Sequence, residues 1–150
     1  MELTKEIKES IEKSVLCWLA TVSNENIPNV SPKEIFTFFG TESLIVANIA
    51  SPQTVRNIKQ NQSVCVSFID VLAQKGFQLK GKAEIIKKSH AEFVEMKNVL
   101  AQMAGEEFPF ATITRIYIET AKPIIAPRYL LYPETTEKNQ IESAKAAYGL

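Results

Sequence analysis

From Phe77 to Ile85 the chain alternates with a period of two. Phe77, Leu79, Gly81, Ala83 and Ile85 are apolar or small, and Gln78, Lys80, Lys82 and Glu84 stand between them. Only an extended strand sends successive side chains to opposite faces, so this stretch is a strand with one buried face and one wet face. Other β-prone runs occupy residues 16–22, 27–39, 44–49, 64–69 and 111–120, the second with a proline in its middle. Short polar turns, Ser23-Asn24-Glu25-Asn26 and Gly40-Thr41-Glu42, join the first three. Such close spacing predicts an antiparallel meander rather than βαβ units. Six or more strands with few helices predict a barrel, because closure removes exposed edges.

Helices are expected at three places. Leu3, Ile7, Ile11 and Val15 fall at every fourth position and make one helical stripe over residues 1–15, with Thr4 able to cap it. Ser51-Pro52-Gln53-Thr54 reads as a helix start, with Ser51 as N-cap and Pro52 at the first helical position, and the helix runs to about Gln60. Phe93, Met96, Leu100 and Met103 define a third helix over residues 89–104, ended by Gly105. Trp18, in an early strand, is assigned to the core. Pro123, Pro127 and Pro133 predict irregular backbone, and the polar tail 134–150 is either loosely ordered or packed on a partner. The 150 residues show no repeat and no composition break, which suits a single domain.

Charge narrows the partners. The formal net charge is zero, so no bulk field draws in nucleic acid or an anionic membrane, and an anionic ligand must be held by local groups. No apolar run approaches the roughly 20 residues of a membrane helix, and the charged start does not resemble a secretory leader. Cys17 and Cys65 lie far apart inside apolar runs, so the expectation is a reducing cytoplasm without disulfides. Two cysteines and one histidine do not suit a zinc cage, and no metal is expected.

One segment has the chemistry of an anion site. In residues 47–57 a strand runs directly into the Ser51-Pro52 helix start. The first turn of a helix presents unpaired N–H groups at the positive end of its dipole. Those of Gln53 and Thr54, with the hydroxyls of Ser51 and Thr54 and the Gln53 amide, make a competent phosphate seat. Most capped helices bind nothing, so local physics alone leaves a plain helix start as the other reading. Pro28-Asn29-Val30-Ser31-Pro32-Lys33 likewise reads as an edge strand guarded by Pro and Lys, or as a strand whose freed backbone and Lys33 meet a ligand. Gln78 and Lys80 share a strand face that could line a groove. His90 sits at a helix start and is expected in an exposed turn. No triad, carboxylate pair, Walker loop or CxxC is present, so no catalytic residue is identified.

Several stretches, in order, resemble the pyridoxamine 5'-phosphate oxidase-like FMN-binding split barrels. They are Leu19-Ala20-Thr21-Val22, Pro28-Asn29-Val30-Ser31-Pro32, Leu44-Ile45-Val46-Ala47-Asn48, Thr54-Val55-Arg56-Asn57-Ile58 with Asn61-Gln62-Ser63-Val64-Cys65-Val66, and Gly76-Phe77-Gln78-Leu79-Lys80-Gly81. The resemblance implies a mainly β (α+β) fold, a six-stranded antiparallel Greek-key split barrel with flanking helices. It implies a homodimer with FMN at the subunit interface. Carried over by position, Ser31, Pro32 and Lys33 lie near the flavin ring, Asn48 and Ile49 on the next strand, and Gln53 and Thr54 at the phosphate. Asn57 and Gln78 are further contacts. Many members carry an Arg-Lys pair where this chain has Gln53-Thr54, which removes two positive charges; Arg56 or Lys33 are the cations available to compensate. The C-terminal Trp and Arg residues of the true oxidase are absent, which argues against vitamin B6 oxidation.

The expected function is therefore an FMN-dependent oxidoreductase that passes electrons or hydride between the flavin and a small redox substrate or electron donor. The alternatives are a non-catalytic FMN-binding or electron-carrier module, and a relative that takes a deazaflavin or haem. Haem is poorly served by His90, the sole histidine.

Overall fold

The alternating stretch forms the strand that organises the sheet. The computed structural model describes all residues, Met1 to Leu150. Its strands are β1 (Cys17–Val22), β2 (Pro28–Lys33), β3 (Phe36–Phe39), β4 (Ser43–Ala47), β5 (Ser63–Asp70), β6 (Lys75–Ile86) and β7 (Ile113–Ile125). They make one antiparallel sheet in the order β2-β1-β5-β6-β7-β4-β3. The helices are α1 (Lys5–Lys13), α2 (Pro52–Gln60), α3 (Phe93–Ala104), α4 (Pro127–Leu131) and α5 (Glu137–Tyr148). None is long and apolar enough to cross a membrane.

Seven strands are present where six were expected, because residues 27–39 break in two. Only Glu34 and Ile35 separate β2 from β3, yet these strands lie at opposite edges of the sheet. So short a link spans at most about 11 Å, so the edges must meet at that corner. The sheet therefore curls into a half-barrel, split between its two edges.

The paired strands β6 and β7 form the spine. β5 joins β6 over Lys75–Lys82, and β4 joins β7 over Ile113–Tyr117. The register shifts between Lys80 and Gly81, where the ladder passes from one half of the barrel to the other. A bulge adds bend and twist at such a point. Gly81 is required there: a Cβ would sit 1.9 Å from the Tyr117 carbonyl oxygen.

Two apolar clusters follow from the strand faces. Leu19, Leu44, Val46, Val66, Phe68, Leu79, Ile116 and Ile118 point into the barrel, where Leu3, Ile7 and Ile11 of α1 and Ile58 of α2 meet them. Ile45 and Ala47 of β4 point the other way, against Phe93, Met96 and Leu100 of α3. Burial on both faces explains why β4 reads as a continuous apolar run.

Several local expectations fail for identifiable reasons. Thr4 does cap α1, accepting from the Ile7 N–H at 3.2 Å, but the helix ends at Lys13 and Val15 is exposed. Trp18 is 49% exposed, because its partners in register, Pro32 and Ser67, belong to the outer face of the barrel. Met103, assigned to the α3 stripe, is also exposed. Pro123 does not interrupt β7; it lies beyond the stretch that pairs with β4, on an edge that needs no N–H. The polar tail contains α5, which starts with a reciprocal cap between Thr136 and Asn139 and buries Gln140 and Ala144.

Stability should fall most at the spine. Gly81→Ala is expected to lower the urea unfolding free energy by about 3 kcal/mol or more, as a backbone clash that cannot relax. Leu79→Ala, at a fully buried barrel position, is expected to cost about 2–5 kcal/mol through its cavity. A Gly81→Ala protein as stable as wild type would contradict the bulge geometry.

Candidate functional site

Alternation along β2 sorts its residues. Asn29, Ser31 and Lys33 turn to the inner side, and Pro28, Val30 and Pro32 to the outer side. α2 packs beside this inner side with its first turn near the β2–β3 corner. The Ser31 and Thr54 hydroxyls lie 3.4 Å apart. The Lys33 ammonium donates to the Ser51 hydroxyl. Ser51 in turn donates to the Ile49 carbonyl at 2.9 Å, so it makes no N-cap hydrogen bond to α2. The expected cap is thus wrong in detail: the hydroxyl is committed to Lys33 and Ile49 instead.

The unpaired amides expected at this helix start are present. The N–H groups of Gln53 and Thr54 take no acceptor within the chain, while Val55 N–H returns to the Ser51 carbonyl. Ala50 precedes the helix with φ of 49°, a left-handed conformation that costs a non-glycine residue roughly 1 kcal/mol or more. This turn brings Ser51 back toward Lys33 while the helix starts beyond it.

Lys33 is unusual electrostatically. Its side chain is buried, and the ion pairs of the chain lie elsewhere: Lys5–Glu9, Lys75–Glu137 and Arg115–Glu92. Burial lowers the Lys33 pKa from its ordinary 10.5, only partly offset by the Cys17 thiol across the β1–β2 ladder. Burial also pushes the Cys17 thiol up to about 12, so this sulfur is no thiolate nucleophile near neutral pH.

Two hollows flank this seat. One, of about 320 Å³, is lined by Pro32, Lys33, Glu34, Ile35, Ala47, Ile49 and the end of α3 with Met103, Ala104 and Phe108. The other, of about 510 Å³, includes Asn29, Gln53, Arg56 and Asn57. Arg56 donates to Gln53 Oε1 at 2.8 Å, and Gln53 Nε2 donates to Asn57 Oδ1 at 2.8 Å. One guanidinium therefore stands a turn away from the seat.

The structure brings together Ser31, Lys33, Gln53 and Thr54, with Pro32 and Ile49 on the wall of the smaller hollow. Asn57 is buried and donates to the Thr21 hydroxyl at 2.9 Å; it holds α2 to β1. Asn48 is spent on threonines: it donates to Thr112 Oγ1 at 3.1 Å and accepts from Thr114 at 2.8 Å. Gln78 is not part of this groove within one chain. It lies opposite Ser67, which lies opposite Trp18, on the outer face. His90 is half-buried in a turn, its Nδ1 accepting from the Glu92 N–H. Sequence reasoning missed the Lys33–Ser51 contact and the apolar wall from Met103 and Phe108. The first needs the left-handed turn at Ala50, and the second needs α3 to meet the β2–β3 corner.

This arrangement has the chemistry a phosphorylated flavin calls for: two free amides with the mutually bonded Ser31 and Thr54 hydroxyls beside them, a buried amine without a counter-ion, and a mostly apolar hollow nearby. Comparison with known proteins agrees on the family. The model of the family described as pyridoxamine 5'-phosphate oxidase matches residues 3–141. Group A Streptococcus HupZ is 27% identical, with a TM-score of 0.69 over 79% of this chain and 91% of that chain. The haem storage protein HutZ of Vibrio cholerae is 21% identical, with a TM-score of 0.65 over 83% and 95%. An FMN-binding protein of Syntrophomonas wolfei is 15% identical, with a TM-score of 0.68 over 81% and 88%. At those identities the last two show a shared fold alone. No curated protein matches the sequence. A half-barrel with α2 seated beside β2, matched by one family over almost its whole length, makes this chain a member of the pyridoxamine 5'-phosphate oxidase family.

Proposed function

We propose that this protein binds FMN in the groove between β2 and α2 and acts as a flavin-dependent oxidoreductase in a homodimer. The observation that carries this reading is the pair of free N–H groups on Gln53 and Thr54, beside the Ser31 and Thr54 hydroxyls and near buried, counter-ion-free Lys33. Bound FMN would supply hydride or electron transfer. The residues of the chain would hold and orient it: amides and hydroxyls at the phosphate, Lys33 toward the polar edge of the ring, and Ile49 and Pro32 against its apolar part. Arg56 partly replaces the basic pair that other members carry. A hydrogen bond to a charged group is worth about 1.5–3 kcal/mol, so affinity one or two orders of magnitude below a site with the full pair is expected.

The dimer reading rests on the outer face of β2, β1, β5 and β6. Trp18 and Val30 are exposed there at 49% and 57%, with half-buried Ala20, Cys65, Ser67 and Gln78 around them. An exposed aromatic on an otherwise small-residue face is the anchor expected of an interface.

Titration of FMN fluorescence tests the site. Saturable quenching is expected, with riboflavin, which lacks the phosphate, much weaker. Gln53→Arg should tighten FMN about tenfold by restoring one charge and leave riboflavin unchanged. Equal binding of both flavins to both proteins would remove the phosphate seat.

Lys33→Met should separate binding from stability. A base whose folded-state pKa is depressed makes folding less favourable at pH below that value, and the penalty fades as pH rises toward the unfolded 10.5. The variant should therefore melt a few degrees higher near neutral pH, with the gain shrinking in alkali, while FMN binds about 10–100-fold more weakly. A lower melting temperature throughout would mean that Lys33 is paired in solution.

Trp18→Glu should turn a dimer into a monomer in sedimentation velocity, with the circular dichroism of the folded chain retained. A wild-type monomer at micromolar concentration would overturn the assembly.

A further inference from the structure

We propose that Lys33 is a carbonyl-capturing amine, which forms a reversible imine with an apolar aldehyde held in the hollow between the β2–β3 corner and the end of α3. The inference goes beyond flavin binding and does not require it.

Three features of the corner carry it. First, Lys33 is 8% exposed and is one of the residues lining a hollow whose walls are mostly apolar: Ile35, Ala47, Ile49, Met103 and Phe108. Its volume of about 320 Å³ is at the small end of ligand pockets, suited to one compact apolar molecule. Second, no carboxylate pairs with the amine. Glu34 stands at the rim, exposed and on the opposite alternation of the chain. Cys17, across the ladder on β1, is kept a neutral thiol by burial. The lining residues of α3 and β4 carry no charge. Third, the Ser51 hydroxyl spends its proton on the Ile49 carbonyl and presents a lone pair to Lys33. A neutral amine keeps its N–H bond to that oxygen and still has its own lone pair free.

The chemistry balances without an external oxidant. The Nζ lone pair attacks the carbonyl carbon and the carbonyl π pair moves to oxygen. The two amine hydrogens leave with that oxygen as water, and a C=N bond remains. Buried lysines are suited to this reaction because desolvation favours the neutral, nucleophilic form, and the lowered pKa of Lys33 agrees with that direction. The apolar walls select the body of the aldehyde, and Glu34 at the mouth disfavours an anionic one.

The test is trapping with cinnamaldehyde and cyanoborohydride near neutral pH, followed by peptide mass mapping. The expected result is a fast adduct at Lys33, ahead of exposed Lys5, Lys59 and Lys88, with acetaldehyde showing no such preference. Lys33→Arg should lose the fast phase. Ala104→Phe, which fills the hollow from α3 and keeps the amine, should slow it. Labelling spread evenly over exposed lysines, or a fast phase that survives either substitution, overturns the proposal. FMN added before the aldehyde reports on the other reading separately: protection of Lys33 means that the ring and the aldehyde share the hollow, and both readings stand. Adduct formation without any FMN binding leaves the capture site and removes the flavin.

Discussion

Two residues decide the shape of this molecule. Glu34 and Ile35 connect strands at opposite edges of a seven-stranded sheet, and no flat sheet allows that. Curling follows, and with it a slit where β2 and β3 diverge. α2 lies along β2 and presents its first turn to the corner. The same corner buries Lys33, because the inward alternation of β2 ends where the chain must cross. The groove is thus a by-product of closing the sheet, and at its helix end the Gln53 and Thr54 N–H groups are left without partners.

The fold was legible where a side chain's environment is set by its own element. Alternation in β6 and the fourfold spacing of Leu3, Ile7 and Ile11 report a buried face directly, and both hold. Legibility ended where the environment comes from a distant strand. Trp18 reads as core from composition, but register alone puts it outward, and register is fixed by β2 and β5. Pro123 reads as a breaker, but its cost depends on whether a neighbour needs its N–H. α5 gave no apolar signal because it buries only a glutamine and an alanine, and its start is marked by Thr136 and Asn139.

For the site, the residue types were visible and their geometry was not. Gln53 and Thr54 present amides because any helix start does, so that part needed no structure. Asn48 and Asn57 were assigned as flavin contacts by resemblance, from their positions in the chain. Their hydrogen bonds to Thr112, Thr114 and Thr21 make them braces between elements. Gln78 was placed with the others on resemblance, and in this chain it stands apart from them on the outer face, opposite Ser67.

What distinguishes this chain from a more basic site is where its cations stand. Arg56 is tied to Gln53 on the exposed side of α2, and Lys33 is buried against a hydroxyl on the other. A phosphate at the helix start would sit between the two, held by neutral donors and flanked by charge rather than gripped by it. Neutral donors bind less tightly than ionised ones but do not repel a ligand that lacks the anion. An amine in an apolar recess without a carboxylate is costly to keep charged. Closure of the sheet forces burial on residue 33 whatever side chain stands there, so a lysine at that position lowers stability unless the reaction or the ligand of the site uses it.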